Sequence, residues 1–216
     1  MTRTRLPARV VLFDWDGTLL DSCRADAGAY VEMFRILGVR WSASDFERHY
    51  SPDWYRVYRA ARLPRAQWAL ADRLWRRAYK RQNPALLPGA RSVVRTLHRS
   101  FRLGVVSSGS GWRVRPQIRG FELARYFSVC VCSEDARRRK PDPAPLKVAL
   151  RRLHAEPNEA VYVGDSPEDV EMARRAGVRS IGVLGPFPTA AKLRAQSPEA
   201  ILPSVRELPR LLVTVE

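Results

Sequence analysis

The stretch Val10-Val11-Leu12-Phe13-Asp14-Trp15-Asp16-Gly17-Thr18-Leu19-Leu20-Asp21-Ser22 decides how this chain is read. Val10 to Phe13 is a short apolar run, β-branched at its start, of the kind a buried parallel strand shows. It breaks off into Asp14 and Asp16, followed by Gly17 and Thr18. Carboxylates at the carboxyl end of a central strand lie where open α/β sheets bind their ligands. Asp14 and Asp16 flank Trp15, and a loop turning at Gly17 can aim both at one spot. Two anionic groups in one crevice are costly unless a cation, a shared proton or a reaction makes use of them. Asp-Gly also makes ordinary turns, so the rest of the chain decides between a turn and a site.

Residues 22–85 read as helical, without strand-like alternation and rich in Ala, Arg, Leu and Trp. Ala29, Met33, Phe34 and Leu37 fall at helical spacing and end at Gly38, a good terminator. Ser42 or Ser44 suits the cap of a second helix, with Glu47 three residues after Ser44 completing a capping box. A third helical segment spans residues 52–62. A fourth, over residues 64–82, puts Trp68, Leu74, Trp75 and Tyr79 mostly on one face. From Ala90 the grammar changes: helices over residues 90–100, 112–119, 144–153 and 167–176 alternate with short strands over 102–106, 128–132, 160–163 and 179–184. Two weaker patterns, at residues 190–196 and 204–213, suggest two final helices. Alternation of this kind predicts an α/β fold, a parallel sheet covered on both faces, with the helical block inserted after the first strand.

Three further strand ends carry chemistry. Ser107-Ser108-Gly109-Ser110-Gly111 offers hydroxyls and amides ahead of a helix, which can cradle a phosphate. Lys140-Pro141-Asp142-Pro143 follows the third strand, where a fixed ammonium can neutralise both a nucleophile and a phosphate, while Arg137 to Arg139 read as a solvated basic loop. Gly164-Asp165-Ser166-Pro167-Glu168-Asp169 ends the fourth. Asp165 is the third carboxylate at a strand end. Asp169, in the first turn of a helix, suits the helix dipole as well as a site. Asp14, Asp16 and Asp165 together make a hard, oxygen-rich site fit for Mg²⁺.

These four segments, in this order and on these elements, resemble the haloacid dehalogenase-like hydrolase superfamily, in its phosphoglycolate-phosphatase-like branch with a helical cap. The resemblance covers essentially the whole chain. It implies a Rossmann-like sheet of order 5-4-1-2-3, a catalytic core of residues 1–21 and 86–216, and a helical cap of residues 22–85. It further implies a Mg²⁺-dependent phosphatase that cleaves a small anionic phosphomonoester, phosphoglycolate-like or a sugar phosphate, through an aspartyl-phosphate. Asp14 is then the nucleophile. Asp16 is the acid that protonates the leaving oxygen and the base that activates water. An Asp at its ordinary pKa of about 3.9 is a poor acid at neutral pH, so Asp16 is expected to have that value raised by its neighbours. Mg²⁺ is assigned to the Asp14 carboxylate, the Asp16 main-chain carbonyl and Asp165, with Asp169 orienting a metal-bound water or Lys140. Thr18, Ser107, Ser108 and Gly109 become the substrate-binding residues, and Lys140 offsets the phosphoryl charge.

Asp16 separates the chain from the dehalogenase branch, which typically has Tyr there. Lys80 is the only lysine of the helical block, near its end, which argues against phosphonate cleavage through a cap-lysine Schiff base. Many relatives have Asn where this chain has Ser108. A sugar-phosphate mutase of the same branch shares these motifs and stands as the alternative.

The chain has 216 residues, 45% of them hydrophobic, enough for one α/β domain with an insertion. No apolar run approaches the ~20 residues of a membrane span, and residues 1–9 lack the apolar region of a signal peptide, so a cytoplasmic protein is expected. Cys23, Cys130 and Cys132 form no disulfide framework. Cys130 and Cys132 alternate on one strand, a conceivable pair of metal ligands that reads better as buried structural cysteines.

With 38 basic against 22 acidic residues the formal charge is +16, a field that attracts anionic substrates. A basic nucleic-acid-binding protein is the reading from another class. It is disfavoured because the charge is spread along the chain, without a basic tail, zinc-finger spacing or aromatic RNA-binding motif. The expected partner is a small phosphorylated metabolite, and the expected state a monomer or homodimer. The helical block carries 13 basic against 6 acidic residues. Arg24, Arg48, Arg56 or Arg59 is therefore expected to bind an anionic group of the substrate, with Trp54, Tyr55 and Tyr58 lining the pocket.

Overall fold

The structure is a computed structural model and describes residues 5–214. The chain opens with strand β1 (Leu6–Ala8), β2 (Val10–Phe13) and the short β3 (Leu20–Asp21). Four helices follow: α1 (Cys23–Ile36), α2 (Ala43–His49), α3 (Trp54–Ala60) and α4 (Trp68–Tyr79). After β4 (Ala85–Leu86), helices and strands alternate as α5 (Ala90–Leu97), β5 (Arg102–Val106), α6 (Gly111–Gly120), β6 (Val129–Val131), α7 (Ala144–Leu153), β7 (Ala160–Gly164), α8 (Pro167–Arg175) and β8 (Arg179–Val183). The chain closes with α9 (Ala190–Ala195), β9 (Ala200–Leu202), α10 (Leu208–Leu211) and β10 (Leu212–Thr214).

The main sheet is parallel, in the order β6-β5-β2-β7-β8-β9. It contains the expected 5-4-1-2-3 arrangement and adds one edge strand, β9. The sheet is buried on both faces by simple alternation. Val11, Phe13, Leu103, Val105, Val161 and Val163 enter one apolar cluster, and Val10, Leu12, Val106, Val129, Ala160 and Tyr162 enter the other. β2, flanked by β5 and β7 at full burial, is the central strand.

The helical block is inserted at one point. β3 and β4 pair antiparallel, Leu20 opposite Leu86, so the two ends of the insertion meet. α1 to α4 close around their own apolar cluster, in which Tyr30, Met33, Phe34, Phe46 and Tyr58 are buried. Phe187, from the loop after β8, is the one residue of the sheet side among the described residues that joins this cluster, stacked on Tyr50 at 4.3 Å.

The C-terminal end departs from expectation. Residues 190–196 do contain a helix, α9. Residues 204–213 were expected as one helix, but they divide into a 3-10 turn (Val205–Glu207), the single turn of α10, and β10, which pairs parallel with β1. β9 was not anticipated, because three residues are too few to establish a period. The second helix is capped by Ser42 with Asp45 as its reciprocal partner, not by Ser44 with Glu47. The expected boundaries 1–21 and 86–216 reach beyond the described residues at 1–4 and 215–216. No helix among the described residues is long and apolar enough to cross a membrane.

Gly104 shows how tightly the sheet is covered. It lies in register between Leu12 and Val129, and a methyl group there would come within 2.6 Å of Leu12 and 2.4 Å of Val129. Gly104→Ala is therefore predicted to lower the unfolding free energy by about 1–3 kcal/mol, read by urea denaturation; an unchanged midpoint would show that the two side chains yield freely.

Candidate active site

The site is built where β2, β5 and β7 end. Asp14 directly follows β2, and its amide donates to the carbonyl of Val163 at 2.8 Å, which ties the strand end to β7. Trp15 is fully buried and its indole donates to Gln117 of α6 at 3.0 Å. Gly17, at φ +77°, turns the chain and presses against Asp165, leaving no room for a side chain. The anchored Trp15 thus sends Asp14 and Asp16 out on either side.

Lys140 is buried and its ammonium reaches Asp14 at 2.8 Å, Asp169 at 2.7 Å and the Tyr162 hydroxyl at 2.7 Å. Tyr162 in turn donates to the carbonyl of Val106 at 2.8 Å. Asp169 has two roles. One oxygen takes Lys140, and the other accepts from the amide and hydroxyl of Ser166 at 3.0 and 2.7 Å, in the capping box that opens α8. Asp165, at the end of β7, accepts from Thr18 at 3.3 Å through one oxygen. Its other oxygen, Oδ2, is buried without a hydrogen-bond partner among the described residues.

Asp14, Asp165 and Asp169 each bring a carboxylate oxygen within 4.8 Å of the others. Burial raises Asp14 to about 7, helped by Asp169 and opposed by Lys140. Burial also raises Asp165 well above the usual carboxylate range, with Asp169 and Asp14 adding to it. Burial alone would lower Lys140, yet the two carboxylates beside it raise it above the usual ammonium range. Three carboxylates against one ammonium leave an excess of negative charge in a dry site. With the unpartnered Asp165 oxygen, this is the environment a hard divalent cation fits.

Asp16 lies apart from that cluster. Its two oxygens take a two-pronged hydrogen bond from the guanidinium of Arg113, at 2.7 and 2.6 Å, and a third from Ser22 at 2.7 Å. Burial raises its pKa, but the charge and hydrogen bonds of Arg113 outweigh that and hold it below the usual carboxylate range. This corrects the expectation of a raised Asp16. Arg113 was not singled out from the sequence. Its only signal was its place in the helix that follows Ser107 to Gly111.

A cavity of about 100 Å³ opens in front of Asp14 and Asp16, with Ser107, Ser108 and Gly109 on its wall. Ser107 accepts from the Gly109 amide at 2.9 Å, which curls this loop. Thr18 is not on the wall, because its hydroxyl faces Asp165. Helices α1, α3 and α4 and the α2–α3 loop close the far side with aromatic rings, including Tyr30, Tyr50, Trp54, Tyr58, Trp75 and Tyr79, and with Asp26 and Asp72.

None of Arg24, Arg48, Arg56 and Arg59 lines the cavity. Arg24 is exposed, Arg48 pairs with Asp45, Arg59 with Asp53, and Arg56 with Glu168 across to α8. Trp54 and Tyr58 do line it, whereas Tyr55 stacks on Trp68 at 4.7 Å. A further link crosses from the sheet side: Arg139, beside Lys140, lies 3.6 Å from the centre of the Trp54 ring and 3.8 Å from Asp53. Cys130 and Cys132, on β6 and just after it, hold their sulfurs 3.7 Å apart and do not line the cavity.

Residues 11–183 match the family model described as haloacid dehalogenase-like hydrolase. The chain belongs to the haloacid dehalogenase-like hydrolases. Within that family it falls in the phosphoglycolate-phosphatase-like branch. It is 27% identical to the phosphoglycolate phosphatase of Salmonella typhimurium over 93% of this chain and 90% of that protein. It is 26% identical to the pyrophosphatase PpaX of Bacillus velezensis over 96% and 97% of the two chains. Among solved structures, CbbY from Rhodobacter sphaeroides, in complex with phosphate, superposes with a TM-score of 0.79 at 27% identity, over 93% of this chain and 96% of that one.

The Asp16–Arg113 pair yields a prediction within this hydrolase. Arg113 and Asp16 side chains are only 8% and 18% exposed. Removing the guanidinium by Arg113→Ala strands a largely buried carboxylate and is predicted to cost about 3 kcal/mol of stability, read by chemical denaturation. A cost near zero would mean that Asp16 finds water or another donor without Arg113.

Proposed function

We propose that the protein is a Mg²⁺-dependent phosphatase that hydrolyses a small phosphomonoester through an aspartyl-phosphate on Asp14. The observation that carries this reading is the buried set of Asp14, Asp165 and Asp169 with the single ammonium of Lys140, opening onto a small cavity walled by Asp16 and the Ser107–Ser108 loop. The family supports the reaction class, and the names of the relatives support a phosphorylated substrate.

In this reading Asp14, Asp165 and Asp169, with the Asp16 carbonyl, form the Mg²⁺ site. The bound ion supplies positive charge against the phosphoryl oxygens and the carboxylates. Ser107 and the Ser108 amide hold the phosphoryl group in line with Asp14, in a loop that Gly109 curls, and Lys140 steadies the Asp14 carboxylate for attack. An Asp14 oxygen bonds to phosphorus as the bond to the leaving oxygen breaks; Asp16 gives that oxygen a proton only in its protonated form, which Arg113 disfavours. Asp16 then removes a proton from water, whose oxygen attacks phosphorus and frees both phosphate and Asp14. Arg113 favours the ionised Asp16 that this second step needs. Thr18 acts through Asp165, holding one of its oxygens.

Residues 22–85 serve as the cap that closes the cavity over residues 1–21 and 86–216. Three free cysteines fit a reducing compartment such as the cytoplasm.

The test is phosphate release from p-nitrophenyl phosphate and a panel of phosphorylated metabolites, with and without Mg²⁺. Release is expected only with the ion, and Asp14→Asn is expected to reduce it by about a thousandfold or more. Metal-independent release, or activity retained in Asp14→Asn, would overturn the proposal.

A further inference from the structure

The far wall of the cavity bears on what the leaving group is, an inference that rests on the phosphatase reading above. Six carboxylates surround this site: Asp14, Asp16, Asp165 and Asp169 at the sheet, and Asp26 and Asp72 on the helical insertion. Two basic groups answer them at close range. Lys140 is shared by Asp14 and Asp169, and Arg113 is spent on Asp16. A divalent ion at Asp14, Asp165 and Asp169 offsets two more charges. Asp26 and Asp72 have no Lys or Arg within ion-pair distance among the described residues, although the insertion as a whole is strongly basic. Burial pushes the Asp26 carboxyl up to about 7, opposed only in part by Arg113, and a cation between the two carboxylates would draw it back to the ionised form.

Both carboxylates lie among aromatic rings. Asp72 accepts from the Tyr58 hydroxyl at 2.8 Å, and Tyr30 and Trp75, 6.2 Å apart between ring centres, line the same space as Asp26. The remaining arginine on the wall, Arg76, is exposed and its guanidinium lies 5.5 Å from the Trp112 ring, at the rim. Rings combined with unneutralised carboxylates attract a cation and repel a carboxylate. The cavity volume of about 100 Å³ suits a short leaving group.

We propose that the preferred substrate is an aminoalkyl phosphate, whose ammonium sits between Asp26 and Asp72 against the rings of Tyr30, Tyr58 and Trp75 while its phosphate faces Asp14. The charge pattern is the reverse of what a carboxylate-bearing substrate requires.

Three two-carbon phosphomonoesters of nearly equal size test this: 2-aminoethyl phosphate, 2-hydroxyethyl phosphate and phosphoglycolate, differing in an ammonium, a hydroxyl and a carboxylate. With Mg²⁺ present, kcat/KM is expected to fall in that order, by about tenfold or more at each step. Asp26→Asn and Asp72→Asn are each expected to shrink the ratio of the amino to the hydroxy ester severalfold. Because the ratio is taken within one preparation, a partly misfolded variant does not distort it, and the wild-type ranking stands without the variants. A preference for the hydroxy or carboxy ester, or a ratio unmoved by both substitutions, overturns the inference. Turnover of p-nitrophenyl phosphate without turnover of any of the three overturns it too and leaves the phosphatase reading intact. No turnover of any ester, the chromogenic one included, overturns both.

Discussion

The structure depends on the ammonium of Lys140, buried between Asp14 and Asp169. Neither carboxylate could be tolerated in that dry interior without it, and a buried ammonium is equally costly without them. The three come from three segments: the end of β2, the loop before α7, and the first turn of α8. Satisfying their charges fixes how those segments meet. The capping box of Ser166 and Asp169 adds a local reason for Asp169 to be where it is, so helix start and ion pair use the same side chain. What stays unbalanced, a carboxylate oxygen of Asp165 with no partner, is what makes the site receptive to a metal ion.

A second pair, Asp16 with Arg113, works on a different principle. Here one guanidinium meets one carboxylate through two parallel hydrogen bonds, a geometry that fixes direction as well as charge. The two aspartates on either side of Trp15 therefore experience opposite surroundings. Asp14 is pushed toward neutrality by burial beside Asp169, while Asp16 is held ionised. Two identical side chains, two residues apart, are set to different tasks by what packs against them.

Much of the scaffold was legible in the sequence because it follows from local pattern. The apolar runs at Val10, Ala160 and Arg179 read as strands, and the carboxylates that end the first two fall at the carboxyl end of the sheet by necessity. Asp14 and Asp165 were nominated on that ground, Lys140 from the proline-bound loop after the third strand and Asp169 from the first turn of a helix, and the four meet. Arg113 was not nominated, since its partner Asp16 is 97 residues away and only the packing of α6 reveals the pair. Asp26 and Asp72 were equally hidden. In the sequence they are minor acids in a block rich in arginine, and a count of charges pointed to the arginines. Folding turned those outward and these inward. β9 and β10, three residues each, owe their existence to the neighbours they pair with and leave no periodic trace.

Arg139 and Lys140 are adjacent in the chain but belong to different parts of the molecule. The first is held by a tryptophan ring of the insertion, the second by carboxylates at the sheet. One peptide unit, some 3.8 Å of backbone, therefore joins a residue held by the roof to one held by the floor. A loop on a protein surface usually tolerates insertions freely; this one has no slack to give. A single residue added between these two would force either the ring contact or the ammonium out of place, so the length of this loop is as much a part of the site as the side chains it carries.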